Sequence, residues 1–113
     1  MDLETIIREC WQDSEDHGWH EGVDDRTFVE KLMLIVSELA EALEEYRDGH
    51  GWTEVYYNDA KPDKPEGIPI ELADAFIRLA DLAVIYGIDL VEAIETKMAY
   101  NKTREYRHGG KKA

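Results

Sequence analysis

Apolar side chains recur along this chain at steps of three and four, the period of a helix face. Leu3, Ile6, Ile7, Cys10 and Trp11 set the first such run, and Gly18 offers it a C-terminal stop. After the loop HGWHEGVDD, Thr27 and Glu30 stand at capping-box spacing and open a second helix, which runs to about Arg47 and ends at DGHG. Pro69 suits the first turn of a third helix that starts at IPIELAD and stops near Gly87. Asp89, with Glu92 three residues on, caps a fourth that reaches about Tyr106. Residues 48 to 68 are rich in Gly, Pro, Asp and Tyr and read as a long ordered loop. VYY within it has strand character, but one strand makes no sheet. The expected fold is all-α, with four helices.

The second helix carries two apolar stripes side by side: Phe28, Leu32, Ile35, Leu39 and Leu43, then Val29, Met33, Val36 and Ala40. A third row holds Leu34, Glu38, Glu41 and Glu45. The third helix repeats the design. Ile70, Ala73, Ile77, Ala80 and Val84 form one stripe, Leu72, Ala75, Leu79 and Leu82 another, and the remaining row is Glu71, Asp74, Arg78 and Asp81. Apolar residues over so much of the circumference predict helices that are mostly covered, with their acidic rows at or near an interior cleft. The plainer account places these acids on solvated faces, where charged side chains usually lie. Two features weigh against it: the stripes leave little room for a wide polar face, and the same acidic i, i+3 pair occurs on both helices.

Four carboxylates brought together repel, and burial pushes some of them toward protonation. A hard divalent cation removes that conflict, and all-oxygen ligands suit Mg²⁺, or Mn²⁺ in its place, rather than zinc or copper. Di-iron bundles need Glu-x-x-His pairs, which neither helix has. An all-carboxylate magnesium site points to phosphate chemistry.

The fourth helix adds a complementary stripe. Leu90 and Ile94 begin it, and Lys97, Asn101, Arg104 and His108 continue it. Residues 97 to 113 hold six of the 13 Lys and Arg residues, a local reversal that fits a polyphosphate. Cations near a helix C-terminus also complement its dipole, which accounts for Lys102, Arg107, Lys111 and Lys112 but less well for Lys97.

Composition narrows the class. With 113 residues the chain reads as one domain, 1–113, having its core at 27–106 and a basic flexible tail at 107–113. Thirteen basic against 26 acidic residues give a formal net charge of −13, which argues against a nucleic-acid partner. The single Cys10 excludes an intrachain disulfide and a Cys-rich zinc site, and a reduced, cytoplasmic setting is expected. MDLETIIRECWQD is broken by charge and is no signal peptide. No apolar run is long enough to cross a bilayer, so no membrane partner is expected.

The segments VSELAEALEEYR, KPEGIPIELADAFIRLADLA and GIDLVEAIETKMAYNKTREYRHGGKK resemble a MazG-like nucleotide pyrophosphohydrolase of the all-α NTP pyrophosphatase superfamily. The likeness covers roughly residues 27 to 112. Its pattern is Glu-x-x-Glu, then Glu-x-x-Asp, then Lys, Asn and Arg. The resemblance implies a four-helix MazG-like bundle completed by oligomerisation, as a homodimer or dimer of dimers. It also implies Mg²⁺-dependent hydrolysis of a (deoxy)nucleoside triphosphate to the monophosphate and pyrophosphate, by metal-activated water attack at the α-phosphorus. Glu38, Glu41, Glu71 and Asp74 match the metal ligands, with Glu38 or Glu41 as the catalytic base. Lys97, Asn101 and Arg104 match phosphate contacts. Trp19, His20 and Trp52 are the candidates for the base site, with packing of the helix connection an equal account of Trp19. Tyr56 and Tyr57 read as loop packing. Many members carry a Glu directly before the first motif Glu, where this chain has Ser37; a helix neighbour points about 100° away, so its loss is expected to tune the site. A dUTP- or dCTP-preferring enzyme, a phosphoribosyl-ATP pyrophosphatase and a non-catalytic acidic interaction module stay open as alternatives, as do house-cleaning of damaged nucleotides and control of nucleotide pools.

Overall fold

The computed structural model describes residues 1–18, 20 and 24–104, the side chains of residues 25 and 26 excepted. Trp19 and the basic tail at 107–113, with His108, lie outside the described residues. Among the described residues there are four helices and one small hairpin: α1 (Leu3–Asp16), α2 (Asp25–Arg47), β1 (Tyr56–Asn58), β2 (Lys61–Glu66), α3 (Ile68–Ile85) and α4 (Leu90–Lys102).

Local chemistry sets each start. Asp2 caps α1 by accepting from the Thr5 amide at 2.8 Å. Helix α2 starts earlier than Thr27 and Glu30 suggest. Its cap is Asp24, whose carboxylate accepts from the Thr27 amide at 2.9 Å, while the Thr27 hydroxyl accepts from the Asp24 amide at 2.6 Å. The reciprocal box is therefore Asp24–Thr27. Pro69 sits in the first turn of α3. Asp89 caps α4 by accepting from the Glu92 amide at 3.0 Å. Helix α4 ends at Lys102 with Thr103 as its C-cap, short of Tyr106.

The fold is mostly helical, as expected, with one small two-stranded sheet that the sequence pattern does not predict. β1 and β2 pair antiparallel, Tyr56 opposite Glu66 and Asn58 opposite Lys61. The second strand, KPDKPE, has no apolar alternation because four of its six residues are exposed, and Pro is tolerated on such an edge. Its partner VYY therefore looked solitary. Gly67 joins the hairpin to α3 at φ +128, and a Cβ there would stand 2.2 Å from the Glu54 carbonyl oxygen.

Helix α3 is the centre, packed against α2 on one side and α1 on the other. Helices α2 and α3 run antiparallel: the Phe28 ring meets Tyr86 edge-on at 4.9 Å, and Glu38 pairs with Arg78. The Tyr86 hydroxyl donates to the Asp24 carbonyl at 2.9 Å, tying the start of α2 to the end of α3. Small residues line the contacts. Ala42, Ala75, Ala80 and Ala83 are buried with Ile7 and Leu82, and no large side chain is fully buried among the described residues. Alanine lets helices approach closely, which is how acids one turn away come together across the α2–α3 seam.

The two apolar stripes of α2, expected to be mostly covered, are largely exposed within one protomer. The best-covered row of α2 is Lys31, Ile35, Glu38, Ala42 and Glu45. Val29, Met33, Val36, Leu39 and Leu43 are exposed. Helix α4 has no buried residue and packs only marginally on the rest. The radius of gyration, 17.0 Å, exceeds the roughly 13 Å of a compact chain of this length. No helix among the described residues is long and apolar enough to cross a membrane.

Candidate carboxylate site

Glu38 and Glu41 come from the middle of α2, Glu71 and Asp74 from the first turns of α3. One ligand oxygen each from Glu38, Glu71 and Asp74 falls within 4.8 Å of the others. Glu41 is exposed at the rim of this group, close enough to act on Glu71 through hydrogen bonding and charge. Ser37 is exposed and donates its hydroxyl to the Leu34 carbonyl of its own helix at 2.7 Å.

The electrostatics are those of crowded acids. Burial pushes the Glu71 carboxyl up to about 8, helped by hydrogen bonds that its protonated form shares with Glu38 and Glu41 and by the charges of Glu41 and Asp74. Asp74 is raised too, by burial first and by Glu38; Arg78 and Lys64 pull it down. Glu71 Oε2 is buried with no hydrogen-bond partner. An orphaned buried oxygen is costly, and together with two further hard oxygens it fits a hard divalent cation.

Arg78 is a site residue that the sequence pattern did not single out. Its Nε donates to Glu38 Oε1 at 2.9 Å. The available signal was its position as the only cation in the acidic row of α3. Beside the cluster a cavity of about 230 Å³ opens between three helices, its walls including Asp13 and Ser14 of α1, Leu34 and Glu38 of α2, and Asp74 and Arg78 of α3.

Of the other expected residues that the structure describes, none belongs to the three-carboxylate group. The His20 ring is held between Glu15 on Nδ1 and the buried Asp81 on Nε2, the latter at 2.7 Å, and stacks on Trp11 at 5.2 Å. Burial alone would lower the His20 pKa, but hydrogen bonds to Asp81 and Glu15 outweigh it and hold the ring above its ordinary value. His20 therefore bridges the α1 side to α3. Trp52 is 78% exposed. Lys97 lies 4.8 Å over the Tyr100 ring and Arg104 5.8 Å from it; Lys97 and Asn101 on α4 and Arg104 just past its end are all exposed. None of the three lines the cavity. Glu45, one turn beyond Glu41, instead accepts both bonds of the Tyr56 hydroxyl, at 2.9 and 2.8 Å, which pushes that phenol up to about 12. His50 stacks on Tyr56 at 4.2 Å, so this trio anchors the hairpin to α2.

Fold and site together define a mostly helical protein with an acidic cluster suited to a hard cation. Over 38 residues, 34% of the chain, the sequence is 45% identical to the dATP/dGTP diphosphohydrolase of Cyanophage S-2L. The match spans about a third, 36%, of that protein's length. No family model matches the chain, and no solved structure matches it.

Proposed function

We propose that this protein is a Mg²⁺-dependent nucleotide pyrophosphohydrolase of the MazG-like kind, converting a (deoxy)nucleoside triphosphate to the monophosphate and pyrophosphate. The observation that carries the reading is that ligand oxygens of Glu38, Glu71 and Asp74 lie within 4.8 Å of one another while Glu71 Oε2 is buried without a hydrogen-bond partner, an arrangement that a cation would relieve. The partial similarity to a diphosphohydrolase supports the same class and makes dATP and dGTP the first substrates to try.

Glu38, Glu71 and Asp74 hold the cation, with Mn²⁺ able to replace Mg²⁺ and Glu41 on the open side. Bound there, it supplies Lewis-acid polarisation of the phosphoryl oxygens. Glu41 takes the proton of the water that attacks the α-phosphorus, because it is exposed at the rim while Glu38 is engaged by Arg78. The adjoining cavity receives the nucleoside. Lys97 and Arg104 neutralise the departing pyrophosphate and Asn101 hydrogen-bonds to it, and all three come from a second copy of the chain. Support for that copy is the exposed apolar face of α2 and the absence of any buried residue in α4.

The test is pyrophosphate release from a panel of (d)NTPs with Mg²⁺ and with Mn²⁺. Glu38→Ala and Asp74→Ala are each expected to abolish it while leaving the helical circular dichroism unchanged. Full activity in both variants contradicts the assignment.

A further inference from the structure

Glu38 does not stand in the cluster unsupported. Arg78 lies one turn beyond Asp74 on α3, and its Nε–H reaches back across the seam to Glu38 Oε1 at 2.9 Å. The contact is sheltered, the two side chains keeping 32% and 11% of their exposure. A guanidinium donates along fixed in-plane directions, so it sets the orientation of a carboxylate as well as balancing its charge.

We propose that Arg78 is a positioning residue, which fixes the Glu38 carboxylate in the orientation that lets it join Glu71 and Asp74 as a cation ligand. The inference rests on the cation-site reading above and adds a residue to it. Charge and orientation make opposite predictions here. As a bare positive charge beside a cation, Arg78 repels it, and removing Arg78 would tighten binding. As an orienting donor, it preorganises a ligand, and removing it loosens binding by roughly 10- to 100-fold, the usual cost of losing a group that orients a metal ligand. Orientation wins on structural grounds. Glu38 is buried with ligand oxygens of Glu71 and Asp74 within 4.8 Å, and the Arg78 Nε–H donates to its Oε1 from across the seam.

The experiment is calorimetric titration of Mn²⁺ alone into the full chain, for wild type, Arg78→Gln and Arg78→Lys, with circular dichroism as a check on folding. Arg78→Gln is expected to bind Mn²⁺ roughly 10- to 100-fold more weakly. Arg78→Lys is expected to recover only part of the loss, because an ammonium keeps the charge but not the planar Nε–H. Unchanged or tighter binding by folded Arg78→Gln overturns the proposal. If Arg78→Gln does not fold, Arg78→Lys decides: weaker binding than wild type supports the positioning role, and wild-type affinity overturns it. Failure of the wild type to bind Mn²⁺ overturns the cation-site reading itself.

Discussion

Among the described residues, Glu71 carries a strong conflict between burial and charge. Its carboxyl is raised from 4.5 to about 8 by burial and by neighbouring acids, so near neutrality the cation-free protein keeps it protonated. A group whose pKa is raised on folding contributes stability below its unfolded value and loses it as pH climbs through its folded value. The metal-free chain is therefore expected to melt at progressively lower temperature as pH rises from about 4.5 to about 8. In Glu71→Gln that part of the slope should disappear, since an amide does not ionise. Millimolar Mg²⁺ should raise the melting point of wild type on the alkaline side, because a ligand held only by the folded state stabilises it. Melting curves against pH for the two proteins check this, and an identical slope in Glu71→Gln contradicts it. The i, i+3 acidic pairs on α2 and α3 make Glu38, Glu41, Glu71 and Asp74 candidates from the sequence, and the structure brings an oxygen each of Glu38, Glu71 and Asp74 within 4.8 Å of the others. The Glu38–Arg78 bond was not legible in the sequence, because a charged row on one helix does not reveal which residue of another helix lies opposite it.

At the scale of elements, what was legible were the signals that act within a few residues. Pro69 in the first turn of α3 and Asp89 capping through the Glu92 amide are of this kind. The start of α2 was placed late because Asp24 rather than Thr27 is the cap. The hairpin escaped because β2 is held by its partner strand and by polar side chains, such as Asn58 accepting from the Lys61 amide at 3.1 Å, and not by an apolar face. Its position nonetheless bears on the site. Gly67 brings the backbone against Glu54 just before α3 begins, four residues ahead of Glu71. Gly67→Ala places a Cβ into that carbonyl at a φ that side chains avoid, and should cost about 1–3 kcal/mol or more. Urea unfolding reads the shift in midpoint. An unchanged midpoint would mean that this junction is slack.

For the whole molecule, the decisive feature is what one protomer leaves uncovered. The helix period predicts two apolar stripes on α2, Phe28 to Leu43 and Val29 to Ala40, that are mostly covered, but a period does not say which chain covers them. Here Val29, Leu32, Met33, Val36, Leu39 and Leu43 are exposed and α4 has no buried residue, an apolar area of the kind that marks an interaction site. Sedimentation equilibrium is expected to find a homodimer or a dimer of dimers. Val36→Glu should break the assembly to monomers, with activity falling at least tenfold as the Lys97, Asn101 and Arg104 of a second copy leave the site. A wild type that is both monomeric and active contradicts this part of the account.

The most direct measurement is phosphorus-31 NMR of the products formed from dATP and from dGTP by the wild-type chain with Mg²⁺. The account predicts the nucleoside monophosphate and inorganic pyrophosphate in equal amounts, and no turnover when Mg²⁺ is removed with a chelator. Release of orthophosphate and the nucleoside diphosphate, or turnover that is indifferent to the chelator, would contradict it.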